Sequence, residues 1–323
     1  MAGKDWVQLM AGLRSTLINK AAARSRQEAE NFPEIVEQRR AKILAEIGAA
    51  EKLAFDPAMS DDAFWSRTCT KPFYAHRPVD RIRQHEAEMQ ARLGNYRDFL
   101  GTDWEPDTGR QFRAFLDEVM SERDYLEKVV KAARTLAQTK VARERTFMEW
   151  LLAGADPLSW EGRRKIYAKL ASHLGYGAVT TFHLMMELGF AVVKPDQVLN
   201  RLVARMGIMT EYEVRNERTG TRRWHPVESN MTTAMARQLG QNDHFNWSLQ
   251  RRMAEISKAT GISMRALDIV IVKMGQVDDE ANGYARTICG ETPLCSLCEA
   301  KAFCDLGRTG TTKQGKRRHV PAI

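Results

Sequence analysis

The sequence has no long apolar run. No uncharged stretch approaches the roughly 18 residues expected of a membrane-crossing helix, so no membrane partner is expected. The N-terminus, MAGKDWVQLMAGL, lacks a basic segment leading into an uninterrupted apolar core, and a secretory signal is not expected. Cysteine is scarce, five in 323 residues. These absences predict a reducing, cytoplasmic setting. There, clustered cysteines are more often metal ligands than disulfides.

What is present points to a globular chain with a polyanionic partner. A length of 323 residues buries a substantial core and suits two lobes. Charged residues make up 28% and the mean hydropathy is −0.45. Lysine and arginine exceed the acids by 49 to 41, giving a net charge of +8 and a pI near 9.3. Nucleic acid is the first partner this suggests, and a monomer is expected.

Apolar spacing of three and four residues predicts an all-α chain. Residues 4–54 read as helix with one break at Phe32-Pro33. Phe112, Phe115, Leu116, Val119, Met120, Leu126, Val129 and Val130 form one face of a long amphipathic helix. Further helices are expected at 144–153, 160–173, 179–188, 197–206 and 248–274. The stretch EYEVRNERTGTRRWHPV (211–227) breaks this rhythm and suits a small β-hairpin. The tail TKQGKRRH (312–319) is basic.

Four of the five cysteines, Cys289, Cys295, Cys298 and Cys304, form C-x5-C-x2-C-x5-C. Zinc ribbons and fingers usually pair two C-x2-C units across a long gap. One central C-x2-C with a cysteine on each side instead suits a cuboidal [4Fe–4S] cluster. Zinc stays open as the alternative. Cys69 stands apart and reads as a small buried apolar residue.

About a hundred residues upstream, a predicted helix ends at HLGYG and another begins at Ala178 or Val179. Gly175 and Gly177 flank Tyr176, so the turn can take positive φ angles and leave amides exposed for a phosphate. An ordinary tight turn is the competing reading. Beyond Leu188-Gly189, KPDQVLNRL places Asp196 at the start of another helix. It reads as an N-cap and as a candidate catalytic carboxylate, two roles that are compatible.

Taken in order, LGYGAVTT, KPDQVLNRL, MRALDIVIVKMGQ (264–276) and the four cysteines resemble the endonuclease III-like helix-hairpin-helix DNA glycosylases. The resemblance covers roughly residues 144–305. It implies two helical lobes flanking a DNA-binding cleft, double-stranded DNA as the partner, and a C-terminal [4Fe–4S] loop. The lobes would be N-terminal helices 1–58 packing on the cluster lobe, a helical barrel 59–190, and the cluster lobe 191–308 with an insertion at 210–247. The basic tail 309–323 follows. The resemblance also implies that Asp196 is catalytic and that Gly175, Tyr176, Gly177, Val179 and Thr180 contact the DNA backbone.

The sequence departs from the family in four places. Its first cysteine gap is one residue shorter than usual. Ala178-Val179-Thr180 carries no amine where family lyases have a lysine, so hydrolysis without strand cleavage is expected. Residues 290–294 carry no positive charge, and the segment from Asp196 to Cys289 is long. Two alternatives remain: a non-catalytic DNA-binding protein of this fold, and a bifunctional lyase using another lysine such as Lys194. The base removed stays open among damaged, mismatched, methylated and bulky viral forms.

Other candidates are weighed against plain structural roles. Trp65, Phe73, Tyr74 and His76 are candidate walls of a base pocket or aromatic core. Arg222 and Arg223, with Arg215, Arg218 and Trp224, make a candidate DNA-backbone patch or a solvated loop. His173 reads as a surface capping residue, and Trp150 and Trp160 as core.

Overall fold

The structure, a computed structural model, describes residues 5–71, 145–216, 218–276 and 279–309, with isolated positions at 85, 87–88, 90–91, 132 and 135. The helices are α1 (Trp6–Thr16), α2 (Arg26–Asn31), α3 (Pro33–Lys52), α4 (Asp61–Cys69), α5 (Phe147–Leu152), α6 (Trp160–Leu174), α7 (Ala178–Glu187) and α8 (Gln197–Arg205). Strands β1 (Glu211–Arg215) and β2 (Arg222–Pro226) pair antiparallel. α9 (Thr233–Leu239), α10 (Asp243–Thr260), α11 (Met264–Gly275) and α12 (Asp305–Thr309) follow. The chain is mostly helical, with a two-stranded sheet between the arginine-rich arms of 211–227.

Polar caps set most helix starts. Ser25, Ser60, Ser159, Thr232, Asn242 and Ser263 each accept a backbone N–H with the side chain, and Pro33 opens α3 at its first turn. Thr146 and Glu149 form a reciprocal capping box on α5.

Three boundaries differ from the sequence reading. The single helix expected at 248–274 is two: Gly261 takes a left-handed φ of 71° and Ser263 caps a fresh start. Residues 4–54 break at Ser25, which caps α2, as well as at Phe32-Pro33. α9 had no apolar period long enough to announce it, since Ala236 is its one buried residue. The expected helix through Phe112 and Val130, and the tail 312–319, lie outside the described residues.

The chain divides into two compact units, Ala54–Phe190 and a second made of Met1–Leu53 with Ala191–Ile323. In the first, the Asp61 carboxylate accepts the Phe147 N–H at 2.8 Å, and the Phe64 and Phe147 rings meet at 5.6 Å. Lys169 donates to the carbonyls of Trp150, Leu151 and Ala153, closing the end of α5.

The second unit is built around α11, in which every residue except Arg265 is buried. A helix buried on all sides must be apolar all round, and ALDIVIV supplies that with one acid inside it. α1, α3, α8 and α10 pack on it. Buried Lys273 pairs with Asp279 at 2.6 Å and with Glu46 at 3.6 Å, fixing the chain that runs on toward Cys289.

Candidate functional site

The turn between α6 and α7 is Gly175-Tyr176-Gly177. Gly175 closes α6 with φ 67°, a region that side chains rarely enter. Gly177, at φ −68° and ψ 166°, is extended and imposes no such demand; the expectation of positive φ at both glycines holds for the first alone. Tyr176 turns inward, 6% exposed, and its hydroxyl donates to the Thr68 carbonyl at 3.1 Å. Its side chain anchors the turn to α4. Gly177 starts α7 without a side-chain cap, and Val179 and Thr180 are half-buried beside it. Among the described residues, the first-turn amides of α7 receive no N-cap side chain.

Asp196 sits on a strap, 191–196, that enters α8. One carboxylate oxygen accepts the Val198 and Leu199 N–H groups, each at 2.9 Å. The other meets the Lys194 ammonium at 3.0 Å, with Asp196 19% and Lys194 25% exposed. Three side chains elsewhere fix the strap. Gln250 on α10 both donates to and accepts from the Val193 backbone at 2.8 Å. Asp268 on α11 accepts the Lys194 N–H at 3.1 Å. Asn200 donates to the Pro195 and Ala236 carbonyls. Burial pulls the Lys194 ammonium down, but the carboxylates of Asp196 and Asp268 outweigh it and leave the pKa raised. Burial drives the Asp268 carboxyl up to about 6, against the pull of Lys194 and Arg265.

The sequence pattern gives little sign of the strap's supports. The acid inside ALDIVIV is the one local sign, because a carboxylate on a buried helix needs a partner.

The four clustered cysteines occupy the segment after α11. Cys289 and Cys304 are buried, while Cys295 and Cys298 are half-buried. Their thiols lie close enough to raise one another's pKa. Burial is the larger cause, carrying Cys289 to about 12 and Cys298 to about 11. Arg205 lowers Cys289 in part. The Cys304 sulfur lies 3.9 Å from the Arg205 carbonyl. Burial likewise raises the Cys295 thiol, so at least three of the four thiols are held toward the neutral form, a tendency that a bound cation would oppose. Among the described residues, no group of three or more His, Cys, Asp or Glu side chains is closed up as a metal site. Cys69 lies in the other unit, buried in α4.

The hairpin separates the two arginines. Adjacent strand residues point to opposite faces, so Arg222 shares a face with Trp224 while Arg223 shares one with Tyr212 and His225. Arg222 pairs with Glu213 at 3.1 Å. Tyr212 stacks edge-on against Phe245 of α10 at 5.7 Å, and Trp224 is 61% exposed.

Of the base-pocket candidates, Trp65 is 2% exposed in the interior of its unit. Phe73, Tyr74 and His76 lie outside the described residues. His173 bonds the Lys169 carbonyl and packs on Trp150. No helix is long and apolar enough to cross a membrane among the described residues. Comparison of the chain with protein-family models, with curated proteins and with solved structures finds no match in any of the three.

Proposed function

We propose that this protein is a monofunctional DNA glycosylase that removes a modified, mismatched or damaged base from duplex DNA by hydrolysis. The observation that carries the reading is the fixed carboxylate of Asp196. One oxygen is spent on the α8 cap, and the second faces Lys194 at the partly open end of the strap. In this reading α6, the Gly175–Gly177 turn and α7 are a helix-hairpin-helix whose first-turn amides, uncapped by a side chain, grip a DNA phosphate.

The target nucleotide is flipped from the stack to expose its glycosidic bond. As that bond lengthens, its electron pair leaves with the base and positive charge builds on the sugar. Asp196 lies ready to oppose that charge and to take the proton of the water that closes on C1′. The departing base takes up a proton on its nitrogen, the hydroxyl stays on C1′, and the product is an abasic sugar in an unbroken strand. Lys194 is a poor candidate for the covalent nucleophile of a lyase. A Schiff base needs a free amine, and the two carboxylates beside Lys194 hold it protonated.

Cys289, Cys295, Cys298 and Cys304 fit a metal centre by the chemistry of the donor set, four unpaired thiols on one short segment, with the pKa values of Cys289, Cys295 and Cys298 raised by a burial that a bound cation would offset. In this reading they hold a [4Fe–4S] cluster, with zinc the alternative. Such a cluster supplies four metal–thiolate bonds that cross-link a segment with little apolar core of its own.

A second reading has its own observation. The ion pair with Lys194 and the double cap satisfy Asp196 structurally, as a DNA-binding protein without catalysis would require. Mass spectrometry of bases released from DNAs of different modification status decides between them. The glycosylase reading expects one base class released, strands cut only after alkali, and no adduct trapped by borohydride. DNA binding with no base released from any of these DNAs would establish the second reading.

A further inference from the structure

Two charged groups behind Asp196 have no assigned part in the reaction, and both act on the strap. Asp268 is 4% exposed and bonds the Lys194 backbone. The Lys194 side chain, in turn, reaches Asp196. We propose that Asp268 is a positioning residue for Asp196, acting through Lys194, and that its charge sets the net charge presented to the substrate. This rests on the glycosylase reading of Asp196.

Among the described residues, the charged groups that act on Asp268 are Lys194 and Asp196 from the strap and Arg265 from its own helix. With both carboxylates ionised, two negative charges balance two positive ones. Protonating Asp268 leaves one net positive charge, which opposes a developing sugar cation. Burial places this change near pH 6. The expected sign is therefore that base release falls as pH drops through about 6 while DNA binding persists.

The geometry favours a charge relay of position over a plain structural bond. The hydrogen bond from the Lys194 N–H needs only an oxygen, which an asparagine would supply equally. A carboxylate buried at that point costs desolvation free energy. What it adds over an amide is its charge, and of the two cations that act on it the stronger influence is the ammonium that is paired with Asp196.

The test uses the full chain and three variants: Asp268→Asn, Lys194→Met and the double variant. Asp268→Asn keeps the bond to the strap and should lower single-turnover base release about tenfold, without an acid limb between pH 5 and 8. Lys194→Met with Asp268→Asn restores the balance, Asp196 against Arg265, and should recover the rate to within a factor of about three, as charge coupling between neighbours predicts. A structural defect would not be repaired by a second substitution. In carboxyl-labelled protein, NMR should find one aspartate titrating near 6 that is lost in Asp268→Asn and moves upward in Lys194→Met.

Asp268→Asn with the normal rate and acid limb overturns the proposal, as does a loss that the double variant leaves unrepaired. Should Asp268→Asn not fold, the Lys194→Met titration decides, and an unmoved carboxyl overturns it. Release of no base by the unaltered protein sinks the glycosylase reading instead. The titration then still tells whether Asp268 and Lys194 are coupled.

Discussion

The Thr16 hydroxyl lies 4.0 Å from the Cys298 sulfur, joining the first helix to the cysteine segment across 282 residues of chain. The same oxygen accepts the Glu299 N–H at 2.9 Å. One turn earlier, Gly12 leaves room for Ala300: a Cβ there would stand 2.8 Å from the Ala300 backbone. The cysteine segment is thus held by α1 before any metal is considered.

Gly12→Val should therefore loosen the segment without touching a cysteine. The backbone of Ala300 cannot move aside as a flexible side chain would. Anaerobically purified protein should be brown, with a broad absorbance at roughly 400 nm. Gly12→Val and Cys298→Ala should both bleach it and lower the melting temperature, whereas Cys69→Ala should keep the colour. A colourless protein with one zinc per chain would replace iron with zinc at the site.

The two glycines of the α6–α7 turn should respond differently. Gly175→Val forces a branched side chain to φ 67° and should cost on the order of 1–2 kcal/mol, read as a lower urea midpoint, with weaker DNA binding. Gly177→Val meets no such backbone conflict. It should fold normally and weaken binding only if the side chain screens the α7 amides from phosphate. Equal stability loss in both would show that φ at Gly175 is not the constraint.

Much of this was legible locally. Cysteine spacing, the proline-aspartate start of α8 and the Gly-Tyr-Gly turn are each read within one short stretch of sequence, because caps and turns are short-range chemistry. The strap's supports are not. Gln250 and Asp268 bond positions 57 and 74 residues away, and nothing in an apolar period names a partner at that range. Arg222 and Arg223 show the opposite failure. They are neighbours in sequence, and the pleat places them on opposite faces.

That separation gives the hairpin a test of its own. The logarithm of DNA affinity should fall with the logarithm of salt, with a slope of about −0.9 per phosphate neutralised. If one face of the hairpin meets DNA, only one of Arg222→Ala and Arg223→Ala should flatten the slope, by about one such unit. A loss confined to Arg222→Ala, deepened by Trp224→Ala, would assign the contact to the exposed face. Two unchanged slopes would return the hairpin to solvent.

Asp196→Asn separates cap from chemistry. Asparagine caps a helix about as well as aspartate, so its side-chain oxygen can still accept from Val198 and Leu199. The pair with Lys194 and the negative charge are lost. Stability should change by less than about 1 kcal/mol and DNA affinity should hold. Base release should fall by roughly two orders of magnitude, the scale of one preorganised electrostatic contact. Asp196→Ala should lose the cap as well, costing a further ~1 kcal/mol of stability with no greater loss of rate. Full base release by the asparagine variant would leave Asp196 a cap alone and move the search for the catalytic group elsewhere in the chain.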